Sequence, residues 1–178
     1  IPPLPEGRAR ASFLAIGLLD DTVQVLSLEP SGGALFSQRA LIAVDARPDS
    51  LCFVNFGLGS PDTAANTRTV LHLNIGLQTG VLHRVTVDML SGSLSASRQR
   101  FLGSHTVKLT RLDMRATLCG QGLMALSSRP WAAYRHQGRT FHSPLSYDNI
   151  DNAANFCSDA CPDGIVATVG NSLRIISI

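Results

Sequence analysis

The feature that most constrains the fold is a recurring unit of two short apolar runs separated by a tight turn. Each run is five to eight residues long and rich in Val, Ile, Leu or aromatic residues, and Gly, Asn, Asp or Pro marks each turn. This pattern is typical of a β-hairpin. A periodicity of about 3.6 residues is not sustained through the turns, which disfavours buried helices. The four predicted hairpins occupy residues 13–26 (FLAIGLLDDTVQVL), 71–85 (LHLNIGLQTGVLHRV), 123–134 (LMALSSRPWAAY) and 165–176 (IVATVGNSLRII).

The spacing of the hairpins predicts the architecture. Their turns are separated by 59, 51 and 43 residues, which leaves room for two further strands, for example 96–102 and 106–114. Four antiparallel strands at this period are typical of a propeller blade. The inner strands of a blade lie between neighbouring blades, which explains why the hairpin strands are apolar on both faces. We therefore predict an all-β fold, a partial β-propeller of about three and a half four-stranded antiparallel blades.

The predicted organisation is an extended linker followed by the propeller. Three and a half blades leave apolar sheet faces open at both ends. We therefore expect a longer parent chain whose neighbouring segments supply the missing blades. No window approaches eighteen uncharged apolar residues and the start lacks the features of a signal peptide, so we expect no membrane contact. The linker spans residues 1–11, and the partial propeller spans 12–178 with blades at 12–44, 48–102, 105–145 and 150–178.

A basic segment at residues 98–139 is the main candidate for a binding surface. It holds seven Arg and one Lys against a single Asp, a formal net charge of +7 in a chain whose total is +2. Such a surface neutralises RNA phosphates or an acidic protein partner. Alternatively, because successive side chains of a strand point to opposite faces, the cations are spread over several faces and are simply solvated. Few aromatic residues are interleaved with them for base stacking. All three interpretations stay open for Arg98, Arg100, Lys108, Arg111, Arg115, Arg129, Arg135 and Arg139.

The sequence contains no phosphate-binding loop, paired zinc motif or catalytic signature, so we predict no enzymatic activity, cofactor, metal or small-molecule substrate. The alternative that we consider is a zinc site formed by Cys157 and Cys161 with His136 and His142 upstream, but the sequence shows no zinc knuckle. We expect Cys157 to pack in the core and Cys161 to be a loop thiol. Trp131 is expected to fill the space between two blades.

Several stretches resemble the large propeller subunit of splicing factor 3b, in order and with similar spacing over nearly the whole chain. No single stretch is specific, but the set is. The chain departs from the family pattern at residues 57–68 and 116–122. The matching stretches are 13–18 (FLAIGL), 21–23 (DTV), 73–82 (LNIGLQTGVL), 97–104 (SRQRFLGS), 107–109 (VKL), 125–131 (ALSSRPW), 144–147 (PLSY), 161–167 (CPDGIVA) and 172–175 (SLRI).

The resemblance implies a nuclear, three-propeller scaffold of the U2-type small nuclear ribonucleoprotein, which acts in pre-mRNA splicing and branch-site recognition. Its implied partners are a HEAT-repeat subunit and small subunits of splicing factor 3b, with RNA contacted indirectly through the parent protein. This segment would supply closing blades of the middle propeller. The alternatives are a propeller of a cullin-ligase adaptor that binds damaged DNA, a cleavage-and-polyadenylation factor, or a direct RNA-binding module through residues 98–139, because fold alone does not fix function.

Overall fold

The computed structural model describes residues 11–29, 36–56, 70–114, 120–136, 139–147 and 149–177. Every regular element in these ranges is a β-strand. None of the described residues forms a helix that is long and apolar enough to cross a membrane. The strands are β1 Phe13–Gly17, β2 Thr22–Ser27, β3 Ser37–Ala43, β4 Pro48–Phe56, β5 Val70–Leu77, β6 Val81–Val87, β7 Leu94–Phe101, β8 Lys108–Met114, β9 Gly120–Leu126, β10 Pro130–His136, β11 Arg139–Pro144, β12 Asn152–Ser158, β13 Cys161–Val169 and β14 Ser172–Ser177.

The strands form four antiparallel sheets that follow one another along the chain. The first sheet is β1–β2–β3, the second β4–β5–β6–β7, the third β8–β9–β10–β11 and the fourth β12–β13–β14, each paired in sequence order. The predicted hairpins are β1–β2, β5–β6, β9–β10 and β13–β14, all antiparallel. Both the hairpins and the all-β fold class are thereby confirmed.

Buried apolar side chains lie between successive sheets rather than in one central core. Each of the three sheet pairs encloses its own cluster, so the two middle sheets are covered on both faces. This is the packing by which one propeller blade shields the next. The clusters are centred on Val23, Val25, Leu73 and Ile75 in the first pair, Val54, Phe56, Leu123 and Ala133 in the second, and Leu112, Met124, Ile165 and Ala167 in the third.

The leading strands of the sheets lie closest together. β1 contacts β4, β4 contacts β8, and β8 contacts β12. Because the later strands of each sheet lie farther from this line, β7 and β11 form the outer edges of the two four-stranded sheets. The sheets are therefore arranged as a fan, with grooves between their outer edges.

Gly76 of β5 marks the tightest approach between the second and third sheets. A Cβ at this position would meet the carbonyl oxygen of Val107 and, at 2.5 Å, Oγ of Ser50. The same carbonyl accepts a hydrogen bond of 2.6 Å from the Ser50 hydroxyl, and the Val107 N–H donates to Leu77 O at 3.1 Å. Glycine is required here because the backbone of the next sheet fills the place of a side chain.

The first and last sheets carry apolar side chains on the faces that point away from their neighbours. Leu41 of β3 is 54% exposed, and Leu173 and Ile175 of β14 are 70% and 59% exposed. Strand alternation explains the orientation, since the adjacent Ile42 and Ile176 pack against the neighbouring sheets. Two uncovered apolar faces are what a stack of blades presents at its ends.

The expected positions of two cysteines are wrong. Cys157 on β12 is exposed, whereas Cys161 at the start of β13 is buried. The pairing of β12 with β13 shifts between Phe156 and Ser158, which takes Cys157 out of the regular alternation. The Cys161 thiol packs beside Gly164. Across the residues that the structure describes, no group of three His, Cys, Asp or Glu side chains could hold a metal ion.

A basic cleft between the second and third sheets

A cleft lies between the second and third sheets. One of its walls comes from β6 and β7, the outer strands of the second sheet. Leu82 pairs with Arg100, and Arg84 pairs with Arg98, across β6 and β7. Directly paired residues share a face of a sheet. Leu82 belongs to the apolar cluster shared with the third sheet, so this face, with its three arginines, points toward that sheet.

The opposite wall comes from β10 and β11. His142 pairs with Ala133, and Thr140 pairs with Arg135. Ala133 packs in the cluster shared with the second sheet, so these side chains face the first wall. With Arg139 at the start of β11, the walls enclose a cleft of about 500 Å³.

The positive charge of the cleft is not neutralised within the described residues. No described carboxylate forms an ion pair with Arg84, Arg98, Arg100, Arg135 or Arg139. Burial lowers the pKa of Arg84, and the neighbouring Arg98 and Arg100 lower it further. Nη1 of Arg84 and Nε of Arg135 are buried and have no hydrogen-bond partner among the described groups. Unpaired buried donors are uncommon in native proteins and call for a physical explanation.

Trp131 packs against the apolar cluster between the second and third sheets, as expected. Its indole N–H donates to Leu102 O at 3.2 Å, and the Arg100 guanidinium lies 5.5 Å from the ring centroid. Arg100 also donates to His142 O at 3.5 Å. Because a guanidinium already covers the indole, this ring is a packing element and not an open stacking surface.

Two imidazoles line the region between the sheets and are neutral at physiological pH. Burial lowers the pKa of His72 to about 4, with Arg84, Arg135 and Arg98 adding to the effect. Burial and then Arg84 and Arg100 lower the pKa of His142 to about 4. The imidazoles therefore add no positive charge to the arginines. The described lining residues include neither a carboxylate nor a thiol, so the chemistry that this cleft offers is the binding of an anion.

The structure brings together some of the sequence-predicted cations and separates others. Arg98, Arg100 and Arg139 line the cleft. Arg135 does not line it, and its Nη1 donates to Phe56 O of the second sheet at 3.4 Å. Sequence reasoning missed Arg84 because it lies outside the basic segment. No signal in the sequence identifies it, because Arg84 is set opposite Arg98 only by the register of β6 with β7.

The other predicted cations lie elsewhere. Lys108 donates from Nζ to Asp151 O at 3.1 Å, at the seam between the third and fourth sheets. Arg111 forms an ion pair of 3.9 Å with Asp113. Arg129 is exposed at the turn between β9 and β10, and Arg115 lies outside the described residues. The basic segment is thus divided among different faces, as strand alternation would produce.

Comparisons with known proteins match nearly the whole chain. The family described as the RSE1/DDB1/CPSF1 second beta-propeller matches residues 2–178. The chain is 43% identical to Spliceosome-associated protein 130 A of Arabidopsis thaliana and 42% identical to Splicing factor 3B subunit 3 of Danio rerio. These alignments cover 100% and 98% of the chain but 14% of each relative. The crystal structure of BBS1N in complex with ARL6DN matches 98% of the chain and 46% of that protein, with a TM-score of 0.59 at 14% identity, which is a likeness of fold alone.

Proposed function

Because this chain belongs to the RSE1/DDB1/CPSF1 second beta-propeller family, we propose that it is a non-catalytic scaffold segment of a pre-mRNA splicing factor. The observation that carries the proposal is identity of 42–43% with relatives named for splicing, maintained over at least 98% of the chain. The segment accounts for 14% of the length of those relatives. Its contribution is therefore that of one part of a larger scaffold.

The finer proposal concerns the assembly. The segment supplies blades of the middle propeller of a nuclear subunit of splicing factor 3b, within the U2 small nuclear ribonucleoprotein that recognises the branch site. Its parent protein holds the HEAT-repeat subunit and small subunits of that complex. The sequence resemblance and the names of the relatives support this assignment.

The physical character of the segment suits a scaffold. Three apolar clusters hold the four sheets against one another, which gives a rigid body with several exposed edges and grooves. A rigid support keeps binding groups in place without an ordering cost at each encounter. The cleft is lined by four arginines and the neutral imidazole of His142, a composition that suits the binding of a partner.

Affinity purification tests the proposal. The protein, tagged at its own gene, is recovered from nuclear extract, and its associated proteins and RNAs are identified by mass spectrometry and sequencing. We expect subunits of splicing factor 3b and U2 small nuclear RNA, enriched over an unrelated tagged nuclear propeller protein. Recovery of a cullin ubiquitin ligase, or of the cleavage-and-polyadenylation machinery, in their place would contradict it and reassign the chain to a sister branch of its family.

A further inference from the structure

The arginines of the cleft are arranged in a way that is unfavourable for the protein alone. Arg84 and Arg98 are directly opposite one another on neighbouring strands, and Arg100 lies two residues further on the same face. Like charges at directly opposed positions destabilise a sheet. No described carboxylate offsets them. An anion bound between these side chains would remove the repulsion.

The chemistry of the side chains narrows the kind of anion. All four cations that line the cleft are arginines, whose planar guanidinium pairs with phosphate or carboxylate through two parallel hydrogen bonds. Nη1 of Arg84 is buried without a partner and supplies one such donor. Three guanidiniums on one face suit a group with several oxygens and two charges, which describes a phosphate monoester.

The surroundings of the cleft favour a peptide over RNA. Single-stranded nucleic acid is usually held by a continuous basic groove with aromatic rings for its bases. Here the Trp131 ring is covered by Arg100, and the cations Lys108 and Arg111 are engaged at other sites. The four arginines of the cleft thus form one confined site and not a continuous basic groove.

The edge of the second sheet offers a place for an extended chain. β7 is the outermost strand of its sheet in the described part of the chain, and seven of its eight residues are exposed. A peptide that adds to such an edge bonds through its backbone and turns every second side chain toward one face. If a peptide added to β7, every second side chain of the peptide would lie on the face of the sheet that carries Arg84, Arg98 and Arg100.

We propose that this cleft binds a phosphorylated segment of a partner protein, extended along β7 with a phosphoserine or phosphothreonine held by Arg84, Arg98 and Arg100. Arg139 contacts the same segment from the opposite wall. The proposal rests on the geometry of the cleft and is independent of the splicing assignment.

Fluorescence anisotropy with the complete protein tests this inference. The probe is a short fluorescein-labelled peptide with two phosphoserines on alternate residues. Arg98→Gln combined with Arg139→Gln changes two exposed side chains, and we expect binding to weaken by roughly tenfold or more. The matched control, Arg39→Gln combined with Arg129→Gln, removes the same charge from exposed positions outside the cleft and should alter affinity by less than about twofold.

A second variant and two further probes decide between the ligands. Arg84→Gln removes the buried cation and should also weaken binding of the phosphopeptide. Equal losses in the cleft and control variants, or no loss in either cleft variant, would overturn the proposal. Equal affinity for a peptide with glutamates in place of the phosphoserines would also contradict it. Tighter, cleft-dependent binding of a uridine-rich RNA oligonucleotide would replace the protein partner with RNA.

Discussion

At the scale of single residues, the cleft combines permanent charge with groups that are kept neutral. His72 accepts no proton at neutral pH because its surroundings are desolvated and because Arg84, Arg135 and Arg98 repel a further charge. Burial, and then the charges of Arg84 and Arg100, lower the pKa of His142 in the same way. The native fold therefore disfavours protonation of both imidazoles, whereas the unfolded chain does not.

We predict an acid-side loss of stability from these two histidines. The unfolded chain binds protons below a pH of about 6.5, while the native pKa of each is about 4. Stability should therefore fall as the pH drops from about 6.5 to about 4, and level off below that for these groups. Hydrogen exchange of β5 and β11 amides at pH 7 and pH 5, corrected for intrinsic rates, measures the effect.

The double variant His72→Gln, His142→Gln tests the cause of this pH dependence. It should reduce the difference in protection between the two pH values. Ser95→Ala, an exposed change on β7, serves as the control and should leave the difference unchanged. If the double variant kept the full pH dependence of the unmodified protein, the imidazoles would not be its source.

At the scale of elements, the seam between the second and third sheets depends on a missing side chain. Gly76→Ala would place Cβ against the carbonyl oxygen of Val107. That oxygen accepts a hydrogen bond from the Ser50 hydroxyl, and the Val107 N–H donates to Leu77 O. Because Ser50 and Val107 are both held in place, we expect the free energy of unfolding to fall by about 1–3 kcal/mol, which is typical of overpacking. Hydrogen exchange should show faster opening on both sides of this seam, in β5 and β8.

Gly170→Ala is the control for that substitution. Gly170 has a φ of +55°, and no atom lies within 4 Å of the place that an alanine Cβ would take, so the change adds backbone strain without a clash. Its effect should stay within β13 and β14. An equal effect of the two substitutions on β8 would contradict the close approach of the sheets as the reason for glycine at position 76.

The elements that sequence reasoning predicted correctly are those determined by local signals. The hairpins follow from turn residues and short apolar runs, which need no knowledge of distant contacts. The cleft could not be predicted in the same way. Arg84 joins Arg98 only through the register of β6 and β7, which contains a shift between Arg84 and Thr86. A similar shift in β12 reversed the expected burial of Cys157 and Cys161.

At the scale of the whole molecule, the four sheets form a stack with two uncovered ends. Leu41 lies on the outer face of the first sheet, and Leu173 and Ile175 lie on that of the fourth. Each middle sheet, by contrast, is covered on both faces. Burial of apolar surface stabilises a fold by about 25 cal/mol per Å². We therefore expect further sheets to cover these faces in a closed propeller.

Glutamate at positions 173 and 175 should have opposite effects in two contexts. In the 178-residue chain expressed alone, Leu173→Glu with Ile175→Glu should raise the soluble fraction, because it removes an exposed apolar patch. In the complete protein the same pair should destabilise by at least about 3 kcal/mol, because charges would enter a covered interface. Leu90→Glu, at a turn where Leu90 is 96% exposed, should be neutral in both. If the complete protein tolerated the pair, as judged by thermal unfolding, no neighbouring blade would cover the fourth sheet, because a buried interface cannot accept two unpaired carboxylates without loss of stability.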